Sequence, residues 1–194
     1  AVFHKMNGAM NQNRIRADIS HFVEPDRINP VTPDDRIDEE IYSTALDHLV
    51  IVCVDVALTF QDQVLLVKRD RNPRPSWWIV GGRMVAGEAP KAAAARKIEQ
   101  EVQIANIAGD RLRFVGVYST CFATRHQAPQ HHGSHTLNLT YQVELSQAEK
   151  LNIELDPDEH THWVWVKQQD VKTLLGHDPV MDDALLQVIQ DLHN

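Results

Sequence analysis

The sequence predicts an α+β sandwich built on a mixed sheet, and three observations carry that expectation. β-Branched runs such as HLVIVCVDVALTF (48–60) and SHTLNLTYQVEL (134–145) are too rich in Val, Ile and Thr for helices and read as strands. One alanine-rich segment, PKAAAARKIEQEV (90–102), separates the early strands from the later ones. Two segments of helical period, QQDVKTLL (168–175) and DDALLQVIQDLH (182–193), close the chain. Strands, one helix, more strands and then more helices pack as helix layers around a sheet.

Residues 1–36 are polar, punctuated by Pro25, Pro30 and Pro33, and lack either hydrophobic period. They are expected to form an extension that wraps the domain or crosses to a partner subunit, with the folded domain spanning 37–194. IDEEIYSTAL (37–46) suits a short amphipathic helix, and the strand 48–60 follows it. A short turn at Gln61 and Asp62 leads into QVLLVKR (63–69), giving a hairpin. RDRNPRPS (69–76) is loop, and WWIV (77–80) is a short strand ending at the pair Gly81–Gly82, read as a turn. Beyond the helix come the strand RLRFVGVYS (111–119), a histidine-rich loop (120–133), the strand 134–145 and the alternating strand HTHWVWVK (160–167).

At 194 residues the chain suffices for one ordinary core. Its net charge of −8 argues against nucleic acid as a partner, which needs a basic footprint. An acidic chain that takes an anionic ligand must supply local positive charge, from a metal ion or from placed arginines. No apolar run reaches the length of a membrane span, no secretory signal is evident, and Cys53 and Cys121 show no paired spacing. A cytoplasmic protein with reduced thiols is therefore expected. HQAPQHHGSH (126–135) fits no closed zinc site and reads as solvated loop. The four tryptophans are assigned to core and sheet, with Phe122 and Tyr118 as candidates to stack on a base.

On the helix, residues 97, 100 and 101 share one face at about 100° per residue, while Glu99 lies about 200° from Glu101. That face offers Lys97, Gln100 and the single carboxylate of Glu101. Mg2+ often takes only one or two protein carboxylates, with phosphate oxygens and water completing its shell. Without a ligand the same residues amount to a surface Lys97–Glu101 pair. Asp55 stands in an apolar strand, where a bare carboxylate is costly, so it must have a cation or hydrogen-bond donors. Arg69 and Arg83 flank the glycine pair and converge on it if strands 63–69 and 77–80 are neighbours. Guanidinium forks suit diphosphate oxygens. Arg71 and Arg74 read as ordinary loop charges. A free imidazole can accept a proton at pH 7, which makes His160 a candidate base, and His162, two residues on, is its rival.

The spacing from Gly82 through Glu88 and Arg96 to Glu101 resembles the Nudix hydrolase signature G-x5-E-x7-R-E-U-x-E-E-x-G-U. Gly82, Glu88, Arg96, Ile98, Glu101 and Ile104 match it. Lys97, Gln100 and Gln103 replace two glutamates and the late glycine. The GDP-mannose mannosyl hydrolases also lack those two helix glutamates, and the resemblance to that branch extends over about residues 37–170. It implies a Nudix-type α/β/α sandwich and a metal, Mg2+ with Mn2+ as the alternative, held by Asp55, the Gly81 carbonyl, Glu101 and Glu159. It makes His160 the general base and Arg69 and Arg83 the catalytic and substrate-binding arginines; His135, at the start of a strand, is a separate candidate substrate contact.

The expected activity is Mg2+-dependent hydrolysis of a nucleoside diphosphate derivative, first among them a GDP-mannose-like nucleotide sugar. In the resembling branch water attacks the anomeric carbon, releasing free sugar and nucleoside diphosphate, and the enzyme is a homodimer. Two rivals stand beside it: a Nudix hydrolase that cuts a P–O bond, and a non-catalytic nucleotide-binding module. Retention of Asp55, Arg69, Arg83, Glu101 and His160 together favours an enzyme, since a binder has no use for a base.

Overall fold

A computed structural model describes residues 18–175 and 179–193, without the side chains of 179 and 180. The β-branched run of the first strand builds the centre of the sheet. Strand β1 (Ile51–Phe60) pairs antiparallel with β2 (Gln63–Lys68) through a two-residue turn, where Gln61 adopts a left-handed φ of 55°. β2 continues to β3 (Trp77–Trp78), so the expected neighbours are neighbours, with Val67 opposite Trp78. On its other side β1 pairs in parallel with β6 (Ser134–Glu144), which pairs antiparallel with β5 (Arg113–Phe122). β4 (Val80–Arg83) adds to β1, and β7 (His162–Lys167) adds to β2. The sheet is mixed, as expected.

Period-two alternation in β1 divides the core. Val54, Val56 and Leu58 face α2 (Pro90–Val102) and pack on its Ala93, Ala94, Ile98 and Val102. Ala57 faces the other way, toward Leu185, Val188, Ile189 and Leu192 at the end formed by α5 (Pro179–Asp191). Pro90 opens α2 where its missing N–H leaves no bond unmade. Gln103 closes it in the left-handed region, φ 59°, at the position where the family signature has glycine. The first helix, α1, covers Glu39–His48 and begins at an Asp38 cap that accepts from the Glu40 and Ile41 amides. α4 is only Val171–Leu174, preceded by a 3-10 turn, where the sequence pattern suggested one continuous helix.

Two further elements differ from expectation. The glycine pair lies inside β4, with Gly81 opposite Asp55 and Gly82 opposite Val54. Neither glycine takes a positive φ, so close approach, and not a turn, demands them. A Cβ at Gly81 would stand 2.4 Å from both Asp55 Oδ1 and the Val54 carbonyl. The second is a short helix, α3 (Gln147–Leu151), in a region left without an element. Its signal was readable: Ser146 and Glu149 form a capping box.

The described part of the N-terminal extension lies on its own domain. Asp18 pairs with Lys91 of α2, Ile19 packs against the α2-side core, and Arg27 lies against Gly87. The expected crossing to a partner falls partly on residues 1–17, outside the described residues. Cys53 is buried and Cys121 exposed, both as free thiols, and burial pushes the Cys53 thiol up to about 12. No helix among the described residues is long and apolar enough to cross a membrane.

Candidate active site

The helix α2 places its one signature carboxylate in the interior. Glu101 is 1% exposed, whereas Gln100 next to it lies on the outside, where it accepts from Arg96 Nη1 at 3.0 Å. The shared face expected for residues 97, 100 and 101 is thus a face for 97 and 101 only. Glu88 does not reach this carboxylate. It ties the loop to the helix, accepting from Arg96 Nε and Nη2 at 2.7 and 2.8 Å and from the Val85 amide at 3.0 Å.

The C-terminal end of α2 positions the next residues. Its late carbonyls lack partners within the helix, and the loop after α3 supplies them: Glu154 N–H donates to Val102 O and Asp156 N–H to Glu101 O. His160 N–H then closes on Asp156 O at 3.0 Å, turning the His160 side chain inward. His160 Nε2 lies 2.8 Å from Glu101 Oε2, both side chains buried. With the Nε2 proton donated to the carboxylate, Nδ1 is a bare acceptor, and it has no hydrogen-bond partner. Pairing of β7 begins only at His162, opposite Lys68, so His162 is exposed and does not share the face of His160.

The β2–β7 register brings Arg69, the residue after β2, to the same turn. Its Nη2 is 3.4 Å from the Gly81 carbonyl, 3.6 Å from Glu101 Oε1 and 3.3 Å from Glu159 Oε2. Lys97 Nζ is also 3.6 Å from Glu101 Oε1. Glu101 Oε1 is buried yet accepts no hydrogen bond. Arg71, assigned from sequence to solvent, bonds Glu159 Oε2 at 2.6 Å. Burial works against ionisation of Glu159, but the Arg71 hydrogen bond and the charges of Arg69, Arg71 and Lys97 outweigh it and hold the carboxyl below its ordinary range.

Asp55 has hydrogen-bond donors in place of the structural arginine partner weighed from sequence. Its Oδ2 accepts from Trp78 Nε1 at 3.1 Å and from Asn138 Nδ2 at 2.8 Å, while Oδ1 stands over Gly81. Burial nevertheless pushes its carboxyl from 3.8 up to about 6, with the charge of Glu101 adding to the effect against those two hydrogen bonds. A carboxyl that binds its proton more tightly when folded destabilises the fold as pH rises from its unfolded to its folded pKa. Metal-free Asp55→Asn is therefore expected to exceed the parent in stability by roughly 2–3 kcal/mol above pH 7. The gap should close as pH falls toward about 4. Thermal melts at both pH values check this, and an equal gap at both would remove ionisation as the cause.

Asp55 also opens the adjoining cavity, lined by Arg69, Phe122, Thr120, Thr136 and Asn138 together with Trp78. Arg74, another residue taken for a loop charge, lies over the Trp78 ring at 4.4 Å and lines the same cavity. Tyr118 is turned away, its hydroxyl donating to Asp191 at 2.7 Å, so Phe122 is the aromatic candidate that remains. The Arg83 guanidinium lies 5.6 Å from the Tyr42 ring centre. His135 faces a separate hollow beside His132 and Cys121, with Nε2 2.8 Å from Ser119 Oγ. The histidine-rich loop is exposed but anchored by a residue sequence reasoning passed over. Arg125 is 1% exposed and bonds Asp47 at 2.6 Å, Ser43 Oγ at 2.7 Å and the Gly133 carbonyl.

Among the described residues no three His, Cys, Asp or Glu side chains gather as a metal cluster. The oxygens of Glu101, Glu159 and the Gly81 carbonyl do converge, and the orphaned Glu101 Oε1 is a hard donor suited to Mg2+. This donor set fits a divalent ion of low protein ligand count. Asp55 is in register with Gly81, its Oδ1 against that glycine and its Oδ2 bonded on the cavity side.

A mixed sheet between helices, with a glycine strand against a buried helix glutamate, defines a Nudix-type sandwich. The chain belongs to the NUDIX domain family, which it matches over residues 49–187. It is similar in structure to a MutT NUDIX hydrolase from Burkholderia pseudomallei, at 24% identity and TM-score 0.57, covering 74% of this chain and 98% of that one. The NUDIX domain of Shewanella oneidensis NrtR, complexed with ADP ribose, is similar at 17% identity and TM-score 0.54, with 81% and 97% covered. The Escherichia coli dihydroneopterin triphosphate pyrophosphohydrolase follows at 20% identity and TM-score 0.51, with 73% and 96% covered. No curated protein matches the chain.

Proposed function

We propose that the chain is a Mg2+-dependent hydrolase of a nucleoside diphosphate derivative, with a GDP-mannose-like nucleotide sugar as substrate. The observation that carries the proposal is the buried Glu101–His160 pair beside converging oxygens and Arg69. Glu101 and Glu159, with the Gly81 carbonyl, would hold the metal, which supplies positive charge to the diphosphate. Nudix hydrolases generally use divalent cations such as Mg2+, and Mn2+ is the natural substitute.

The chain's own groups divide the remaining work. Arg69 neutralises the diphosphate leaving group, a role in which a guanidinium fork is effective. Glu101 fixes the His160 tautomer, and His160 Nδ1 takes the proton of the attacking water. Lys97 and Gln100 leave no carboxylate beside Glu101 on the helix to serve as base. The support for attack at the anomeric carbon is this off-helix base together with a leaving group that needs charge neutralisation. Structurally similar proteins are described as bound to ADP ribose or as a pyrophosphohydrolase, which supports the broader diphosphate class. Arg83, His135 and Asp55 are assigned to ligand or metal in this proposal, and a homodimer remains part of it.

The test is hydrolysis in 18O-labelled water over a panel of nucleotide sugars with Mg2+. Label is expected on the released sugar and none on phosphate. Label on phosphate would move the chain to the P–O-cleaving class, and tight binding without turnover would make it a binding module.

A further inference from the structure

The oxygens assigned to the metal are already gathered round one atom of the protein. Arg69 Nη2 is within 3.3–3.6 Å of a carbonyl on β4, a carboxylate on α2 and a carboxylate in the turn before β7. A guanidinium usually grips one carboxylate with two nitrogens at shorter range. Here a single nitrogen is shared by three oxygens from three elements, at loose distance, as a cation at the centre of a site is shared. Glu101 Oε1 is buried and lacks a hydrogen bond among the described residues, where the charges of Arg69 and Lys97, each at 3.6 Å, answer it.

Arg69 is also the group free to leave. Its side chain is 31% exposed, and Arg71 holds Glu159 at 2.6 Å independently of it. Lys97 is not: its stem lies under Gly82, where a Cβ would come 2.8 Å from Lys97 Cε. We propose that Arg69 is an exchangeable internal cation. It fills the oxygen cluster of the ligand-free chain, vacates it when a divalent ion binds, and turns to the diphosphate. Metal and diphosphate then bind with positive cooperativity, because each favours the state in which Arg69 has left the oxygens. This inference rests on the metal reading proposed above.

The test is titration with Mn2+, followed by electron paramagnetic resonance of the free ion, with and without GDP as the diphosphate probe. Without GDP, Arg69→Gln is expected to bind Mn2+ about tenfold more tightly than the parent. After allowance for Mn2+ held by GDP in solution, GDP should tighten Mn2+ binding to the parent by a clearly larger factor than to Arg69→Gln, which keeps only the gain from direct metal–diphosphate contact. Lys97→Gln removes a charge at the same distance from Glu101 Oε1 but should retain the gain from GDP. Arg69→Met is a second variant with the same expectation. Unchanged or weaker Mn2+ binding by both Arg69 variants would overturn the exchange and leave the metal reading standing. Absence of Mn2+ binding by every protein, GDP present, would overturn both.

Discussion

Replacing Glu101 with Gln is expected to lower Mg2+-supported turnover by ~10³-fold or more while the chain still folds. Three functions converge on that one carboxylate. Oε2 holds His160 at 2.8 Å, Oε1 is the orphaned donor of the oxygen cluster, and the Gly81 amide reaches Oε2 at 3.4 Å. Gln keeps the shape but removes the charge that balances Arg69 and Lys97. It can also present its NH2 to His160 and force the other tautomer. Circular dichroism and a thermal melt establish that the variant is folded, and steady-state assays over a Mg2+ range measure the loss. Activity near that of the parent at saturating Mg2+ would remove α2 from the chemistry.

His160→Gln is expected to reduce kcat by ~10²–10⁴-fold with KM little changed, and to erase the acidic limb of the pH–rate profile. The geometry gives the reason. One ring nitrogen is committed to Glu101, and the other has no hydrogen-bond partner among the described residues. His162→Gln serves as the comparison, since His162 is exposed at the start of β7. A large loss there with little at His160 would leave the reaction in place and move the base.

Much of the fold was legible because hydrophobic period and the signature spacing are local properties. The β1 run, the β1–β2 turn and the helix beginning at Pro90 all declare themselves within a few residues. The errors came where a local signal has two physical meanings. Gly81–Gly82 signals either a turn or a close approach, and only the position of Asp55 Oδ1 decides between them. Arg71, Arg74 and Arg125 look like solvated charges in sequence. Their roles come from Glu159, Trp78 and Asp47, partners that the chain brings near only after folding. For Glu101, burial was the missing information. A Lys97–Glu101 spacing reads as a surface pair until the loop after α3 closes over the helix end.

The parallel pairing of β1 with β6 has a consequence for the order in which the chain is built. Val54 must find Leu139, and Leu66 must find Val164, before the sheet is complete. Contacts so distant along the chain fold slowly, on the scale of milliseconds to seconds, because loop closure precedes the reward. As the polypeptide leaves the ribosome, Glu101 emerges well ahead of His160. The α2 helix can form early, yet its buried carboxylate waits in water without its histidine until β7, the last strand in the chain, has emerged and paired. Competence therefore arrives in one late step, and a nascent chain halted short of β7 would hold the signature helix but no site.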